Sequence, residues 1–325
     1  MSSTAIRVAF AAVFAFALAP AGLGSAAHAD ATLIVGKAAP NSDPIIPVNI
    51  GDQAGIFKKH GLTLKIVDFD GGSKMAAALA AGSIDIGDGA GTEMVLAAKG
   101  VPALAVCESA GPFTFLAIGV PADSSIKSLD DLKGKKIGIS SAGSLTDWIA
   151  HELAAKKGWG ENGVTTVGIG NGAAGIIAAF RQGLVDADIS VTSLFLTMEE
   201  NKTGRLLSTV DKFVGSAASG TLFATEKLMK SNPAALRAFL AAWIETIDYM
   251  TKHKAETVKI TSAITGFPES VMSREYDLTL SMFSKDCRFK EESIATLKRS
   301  FIALKRLPET VDMSKLYSEE FLPKK

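Results

Sequence analysis

The chain has 325 residues, with 34 basic and 34 acidic side chains, so its formal net charge is zero. That balance lacks the basic field that neutralises phosphates and argues against a nucleic-acid-binding role. The 47% hydrophobic content is too high for a disordered chain, and this length predicts about two domains. Two Cys and four His argue against a disulfide-rich scaffold and against a Cys/His zinc cluster.

Residues Met1 to Ala29 read as an address. Arg7 is followed by an apolar run from Val8 to Ala19, then Pro20 and a small-residue stretch closing on Ala27-His28-Ala29. This is the pattern of a cleaved secretory signal peptide, 1–29, and it predicts a soluble protein in the periplasm. The run is too short to cross roughly 30 Å of hydrocarbon comfortably. Export would place Cys107 and Cys287 in an oxidising compartment, where two thiols can pair. Sequence does not show whether their Cβ atoms approach, so two separate buried thiols are the default expectation.

After the address, strand and helix signals alternate. Leu33 to Gly36 predicts a strand, Ile46 to Lys59 a helix closed by Gly61, and Leu64 to Val67 a strand. Lys74 to Ala81 predicts a helix stopped by Gly82, Ile84 to Ile86 a strand, and Thr92 to Lys99 a helix. Strands follow at Ala103 to Val106 and Phe115 to Ile118. A second unit opens near residue 122 with a capping-box-like Ser128-Leu129-Asp130-Asp131. It continues as strand Lys136 to Ile139, helix Leu145 to Lys157, strand Val164 to Val167, a helix after Gly172, and strand Val185 to Ile189. This alternation predicts largely parallel sheets covered on both faces. Ala78 to Asp85 echoes Ala179 to Asp186 as helix end, Gly, then strand with Asp, which suggests duplication. The last hundred residues turn helical. Asn232-Pro233 starts a helix whose apolar face is Leu236, Phe239, Leu240, Trp243, Ile244 and Ile247. Helices are predicted over Lys254 to Ile264, from Pro268, and over Glu291 to Leu304, with Asp312 to Lys325 as a surface tail.

No catalytic constellation emerges. His60, His151 and His253 are far apart, and no Gly-x-Ser-x-Gly or Walker-type motif is present. Gly87, Gly89 and Gly91 fall at alternate positions, which is not a dinucleotide fingerprint. Small polar loops recur instead: Asn41-Ser42-Asp43, Gly71-Gly72-Ser73, Asp88-Gly89, Glu108-Ser109, Ser140-Ser141, Asn171-Gly172 and Ser190 to Ser193. In open α/β sheets, ligands bind beyond the carboxyl ends of strands, and helix N-termini there favour anions. Ordinary helix capping would use the same residues.

Gly71-Gly72-Ser73 through Ala78 to Gly87, then Lys99-Gly100-Val101-Pro102, resembles the periplasmic substrate-binding proteins of ABC importers in the nitrate/sulfonate/taurine and thiamine-pyrimidine-precursor group. Ser128 to Gly138 resembles the start of that family's second domain, and the likeness covers almost the whole chain after residue 29. It implies an α/β, two-lobed periplasmic-binding-protein fold of type II with two crossover strands. Lobe 1 would be 30–119 and 220–325, and lobe 2 would be 120–219. The chain would pass between them near Gly119 to Pro121 and Val214 to Ser219. The resemblance implies capture of a small solute by lobe closure and delivery to an ABC permease in the inner membrane with its ATPase. It implies no catalysis, no cofactor and no metal. Its cleft positions correspond here to Asp43, Gly72, Ser73, Asp88, Gly89, Glu108, Ser140, Ser141, Asn171 and Thr192. Helix ends at Ser73 and Ser144 favour an anion, whereas Asp43, Asp88 and Glu108 would repel one. A taurine-like zwitterion reconciles the two signs. A pyrimidine or aromatic acid would instead use Phe113, Trp148 or Phe195, which otherwise pack the core. The alternatives of another class are a periplasmic sensory adaptor and an enzyme resembling the thiamine-pyrimidine synthases.

Overall fold

The computed structural model describes residues 31–39, 42–69, 71–160, 162–170 and 172–324, and of Asp43 the backbone alone. The expected export segment, 1–29, lies outside the described residues. The first unit runs β1 (Ala31–Lys37), α1 (Pro47–Gln53), α2 (Ile56–Lys59), β2 (Leu62–Asp68), α3 (Gly72–Ala80), β3 (Ile86–Gly89), α4 (Val95–Ala98) and β4 (Ala103–Ala110). The second runs β5 (Leu116–Pro121), β6 (Lys136–Ile139), α5 (Leu145–Lys156), β7 (Thr165–Gly168), α6 (Ala173–Arg181), β8 (Ala187–Val191), α7 (Thr192–Glu200), β9 (Gly204–Thr209) and α8 (Asp211–Val214). Then come β10 (Gly220–Thr225), α9 (Glu226–Ser231), α10 (Pro233–Lys252), α11 (Lys254–Thr265), α12 (Glu269–Thr279) and α13 (Glu291–Ala303).

The strands form two five-stranded sheets, ordered β2-β1-β3-β10-β4 and β7-β6-β8-β5-β9. Each is mixed rather than largely parallel. β1 is parallel to β2 and β3, and β6 to β7 and β8. β10 and β5 run antiparallel to both of their neighbours. The reason is topological: β10 enters the first sheet from beyond the second unit, and β5 enters the second from the first. Because β5 lies wholly in the second sheet, the first passage between sheets is at 111–115, a few residues before Gly119 to Pro121. The second passage lies in 210–219.

Several expectations shift for local reasons. The helix expected over Ile46 to Lys59 is two, because Gly55 takes a left-handed φ of +72°. Asn232 caps α10 by accepting the Ala235 N–H at 3.1 Å, and Leu236, Phe239, Leu240, Trp243 and Ile247 are buried under it. The echo has a structural meaning. Asp85 accepts the Ile34 N–H of β1 at 2.9 Å, and Asp186 accepts the Lys136 N–H of β6 at 2.8 Å. Each carboxylate ties the start of its strand to the neighbouring parallel strand.

Two expectations near β4 are corrected. Cys107 and Cys287 are not separate thiols but a disulfide, with Cα atoms 4.5 Å apart. Asp312 onward is not a surface tail, since Leu316, Phe321 and Leu322 are buried. Both follow from β4 being an edge strand, whose outer backbone groups need partners. The Glu108 N–H donates to the Cys287 carbonyl at 3.0 Å, which brings that cysteine over Cys107. The Ala105 N–H donates to the Leu316 carbonyl at 3.2 Å, and the Ser318 N–H to the Ala105 carbonyl at 2.9 Å.

Candidate functional site

The carboxyl edge of the first sheet carries a row of charges. Strand register places Lys37 beside Asp68 of β2 and beside Asp88 of β3. Lys37 is fully buried, and its Nζ lies 3.4 Å from Asp68 Oδ1. Asp88 is fully buried as well, and neither of its carboxyl oxygens has a hydrogen-bond partner among the described residues. Burial drives the Asp88 pKa well above the usual carboxylate range. Lys37 opposes that shift, and Glu93 adds to it. Buried, charge-perturbed groups at a strand end are a common sign of a functional site. Sequence reading missed Lys37; its signal was a lysine closing the apolar run Leu33 to Gly36.

Glu93, also missed, sits in the short 3-10 turn Gly91–Met94 that leads into α4. Its carboxyl fills the space left by two glycines: a Cβ on Gly72 would overlap Oε1, and one on Gly89 would lie 2.9 Å from Oε2. Oε2 accepts the Ala90 N–H. Burial lifts the Glu93 pKa to about 7, against the pull of the Ala90 amide, its own amide and the Arg306 charge. The alternate glycines therefore serve close packing. A Cβ on Gly87 would lie 2.9 Å from Leu79 Cδ1, and one on Gly91 would overlap the Ala218 carbonyl. Ser73 lies on the first turn of α3 and is exposed. Glu108 reaches the start of α13, where Oε2 accepts the Lys290 N–H at 3.0 Å and Oε1 the Ser293 hydroxyl at 2.8 Å. The Asp43 side chain and all of Asn171 lie outside the described residues.

The carboxyl edge of the second sheet holds a cavity of about 470 Å³. Its walls include Phe115, Ser140, Thr146, Ala173, Ser190 and Phe267. The first turns of α5, α6 and α7 all reach it. Their leading N–H groups lack intrahelical partners, and the helix dipoles add partial positive charge there, while Asp147 in the first turn of α5 accepts the Gly143 N–H at 2.7 Å. At α5 a hydroxyl chain organises the turn. The Ser140 N–H donates to Thr146 Oγ1 at 2.9 Å, and Thr146 Oγ1 lies 3.0 Å from the hydroxyls of Ser140 and Ser144. Ser141 is exposed in this loop. Thr192 is buried and donates its hydroxyl to the Thr114 carbonyl at 3.0 Å, so it stitches α7 to the approach of β5. The Ser193 N–H is already taken by Glu275 Oε1 at 2.8 Å. Phe113, Trp148 and Phe195 are core residues, all buried. Phe195 packs against Gly119, where a Cβ would collide with its ring.

Asp188 of β8 belongs to the same sheet. It is 1% exposed, with neither oxygen hydrogen-bonded among the described residues. Burial pushes its pKa to about 8. Among the described residues, no group of three His, Cys, Asp or Glu side chains is arranged to hold a metal. No described helix is long and apolar enough to cross a membrane.

Two mixed five-stranded sheets joined by two passages, with candidate site residues at their carboxyl edges, define a two-lobed binding-protein fold of type II. Residues 43–257 match the NMT1/THI5-like family, and the chain belongs to it. A Brucella abortus protein provisionally described as a binding protein is 28% identical over 215 residues, which is 66% of this chain. The match spans 65% of that relative's length. The periplasmic aliphatic sulphonate binding protein SsuA of Escherichia coli superposes with a TM-score of 0.74 at 20% identity, covering 88% of this chain and 92% of its own. The desulfurization enzyme DszB superposes with a TM-score of 0.66 at 15% identity, covering 89% and 97%. The same fold thus carries both binding and catalysis.

Proposed function

We propose that this chain is a periplasmic solute-binding protein of an ABC importer. It captures a small anionic or zwitterionic solute of the sulfonate, taurine or nitrate type by lobe closure and hands it to an inner-membrane permease. Lobe 1 is formed by residues up to the first passage and from 220 to 325, and lobe 2 by those between. One observation carries the reading: the first turns of α5 and α6 and a set of hydroxyls converge on one cavity at the carboxyl edge of the second sheet, while the matching edge of the first sheet carries the carboxyls Asp68 and Asp88. A solute touching both edges stabilises the closed state by its differential affinity for it. A zwitterion suits both signs, with its anionic group at α5 and α6 and its ammonium toward Asp88 and Glu93. The sulphonate-binding name of the Escherichia coli fold neighbour fits the anionic end. Phe115 and Phe267 in the cavity wall favour, as a second reading, an aromatic acid in the same receptor role.

A thermal-shift screen of the exported chain over taurine, alkanesulfonates, nitrate, pyrimidines and aromatic acids tests this. Bound solute raises the melting temperature by mass action, about 2.7 kcal/mol at a hundredfold excess over Kd. Asp88→Asn and Ser141→Ala should weaken binding, while Lys252→Ala, exposed at the end of α10, leaves it unchanged. A chain that shifts with no solute but chemically converts one would overturn the reading.

A further inference from the structure

The α11–α12 hairpin follows β10 and α10 in sequence, yet Arg274 and Glu275 bond to the second unit. Glu275 of α12 is 2% exposed, and its Oε1 accepts the Ser193 N–H in the first turn of α7 at 2.8 Å. One residue earlier, Arg274 donates to Glu199 Oε2 of α7 at 2.6 Å, and Glu199 Oε1 accepts the Leu206 N–H of β9 at 3.0 Å. Between these bonds, Leu196 of α7 packs with Val258, Val271 and Met272 in one buried apolar cluster. A small cavity lies toward the first unit. At about 30 Å³, it separates Ile46, Ile50 and Met250 from Val258, Met272 and Tyr276, and the Tyr276 hydroxyl bridges that seam by donating to the Met250 carbonyl at 2.8 Å. The backbone breaks at His253 between α10 and α11.

The hairpin tip is tightly bonded. Gly266 takes a φ of +77°, the Ser262 hydroxyl donates to the Phe267 carbonyl at 2.7 Å, and the Phe267 N–H donates to Thr265 Oγ1 at 3.3 Å. That turn delivers Phe267 to the wall of the second sheet's cavity, which the first turns of α5 and α6 also line.

We propose that the α11–α12 hairpin travels with the second lobe as a strap, and that it holds Phe267 in the cavity as the gauge that limits the length of the solute's apolar body. The inference rests on the solute-binding reading above. Glu275 is the positioning residue. It joins the strap to α7 and at the same time occupies an α7 amide, which leaves α5 and α6 to receive the solute's anionic group. A buried carboxylate accepting a helix N-terminal N–H is a strong tie, and truncating it leaves that donor unsatisfied.

Two measurements test this. Hydrogen exchange on the ligand-free chain compares wild type with Glu275→Ala and Glu275→Gln. Amides of 193–196 and 271–276 should open together, at least about tenfold faster in the Ala variant, with α10 unchanged and with Gln restoring protection through its own acceptor oxygen. Exchange of 271–276 that follows α10, or α7 amides that ignore the Ala variant, would overturn the strap. Calorimetric titration with linear alkanesulfonates from methanesulfonate to octanesulfonate then compares wild type with Phe267→Ala. The variant should bind the wild-type optimum about tenfold more weakly and prefer a chain about two carbons longer. An unchanged rank order, with Kd values within about twofold, would overturn the gauge while the sulfonate reading stands. Wild type binding no member would defeat that reading and the gauge together, and the exchange pattern alone would decide the strap.

Discussion

Asp188→Asn should stabilise the protein, and by an amount that depends on pH. The carboxyl is buried in β8, has no hydrogen-bond partner among the described residues, and lies against β6 at Gly138. Its pKa rises from 3.8 to about 8 because burial disfavours the charged form. A raised carboxylic pKa means that the unfolded state releases the proton first. Stability from this group is therefore greatest below about pH 4, falls as pH rises from about 4 to about 8, and levels off above that. At about 1.4 kcal/mol per pH unit, the penalty is roughly 1 kcal/mol at pH 4.5 and roughly 4 kcal/mol at pH 7. Asparagine has the same shape and no charge to desolvate, so the variant should gain most of that difference. Urea unfolding followed by the fluorescence of Trp148 and Trp159, both in the second unit, would measure it at about pH 4.5, 6, 7 and 8.5. The gap between variant and wild type should widen over this range. A constant gap, or a variant less stable at pH 7, would mean that Asp188 is ionised and satisfied in the fold, and the reasoning would fail.

Removing the Cys107–Cys287 bond, by paired substitution to Ala, should lower stability by up to about 5 kcal/mol on chain entropy for a closure of this length; the residues are 180 apart in sequence. Differential scanning calorimetry checks it, and an unchanged melting temperature refutes it. Gly72→Ala should cost roughly 1–3 kcal/mol by forcing the Glu93 carboxyl out of its cradle. Glu93→Ala should suppress most of that cost in a double-mutant cycle, and full additivity would show that the two do not touch. Because Glu93 ionises at about pH 7, affinity for a purely anionic probe such as ethanesulfonate should fall as pH rises through that value. Titration calorimetry should find that slope absent in Glu93→Gln.

What the sequence disclosed depends on how local each signal is. The Asn232 cap, the Ser128–Asp131 capping box and the periodic face of α10 are encoded within a few residues, and the structure contains each of them. The reversal of β5 and β10 has no local signature, because direction in a sheet is set by where the preceding segment comes from. For the same reason β9, β10 and α7 had no clear signal of their own. At the site, polar loops after strands marked the carboxyl edges, but not the use of each residue. Glu108 reads as a cleft carboxylate from its loop alone, and its bond to the start of α13, 182 residues away at Lys290, is invisible there. Lys37 and Glu93 were hidden because their importance lies in burial and in the glycines facing Glu93. Phe267 and Glu275 were hidden because they come from a segment that reads as plain amphipathic packing.

The covering of β4 has a consequence for the order of biosynthesis. That strand leaves the ribosome long before residues 283–290 and 316–318, which later lie along its open side. In the interval its backbone is a free border to which another nascent chain can attach. A holding chaperone that keeps β4 extended until the late segments arrive would suppress such adducts, and oxidation of the two cysteines would then record that the border has been sealed.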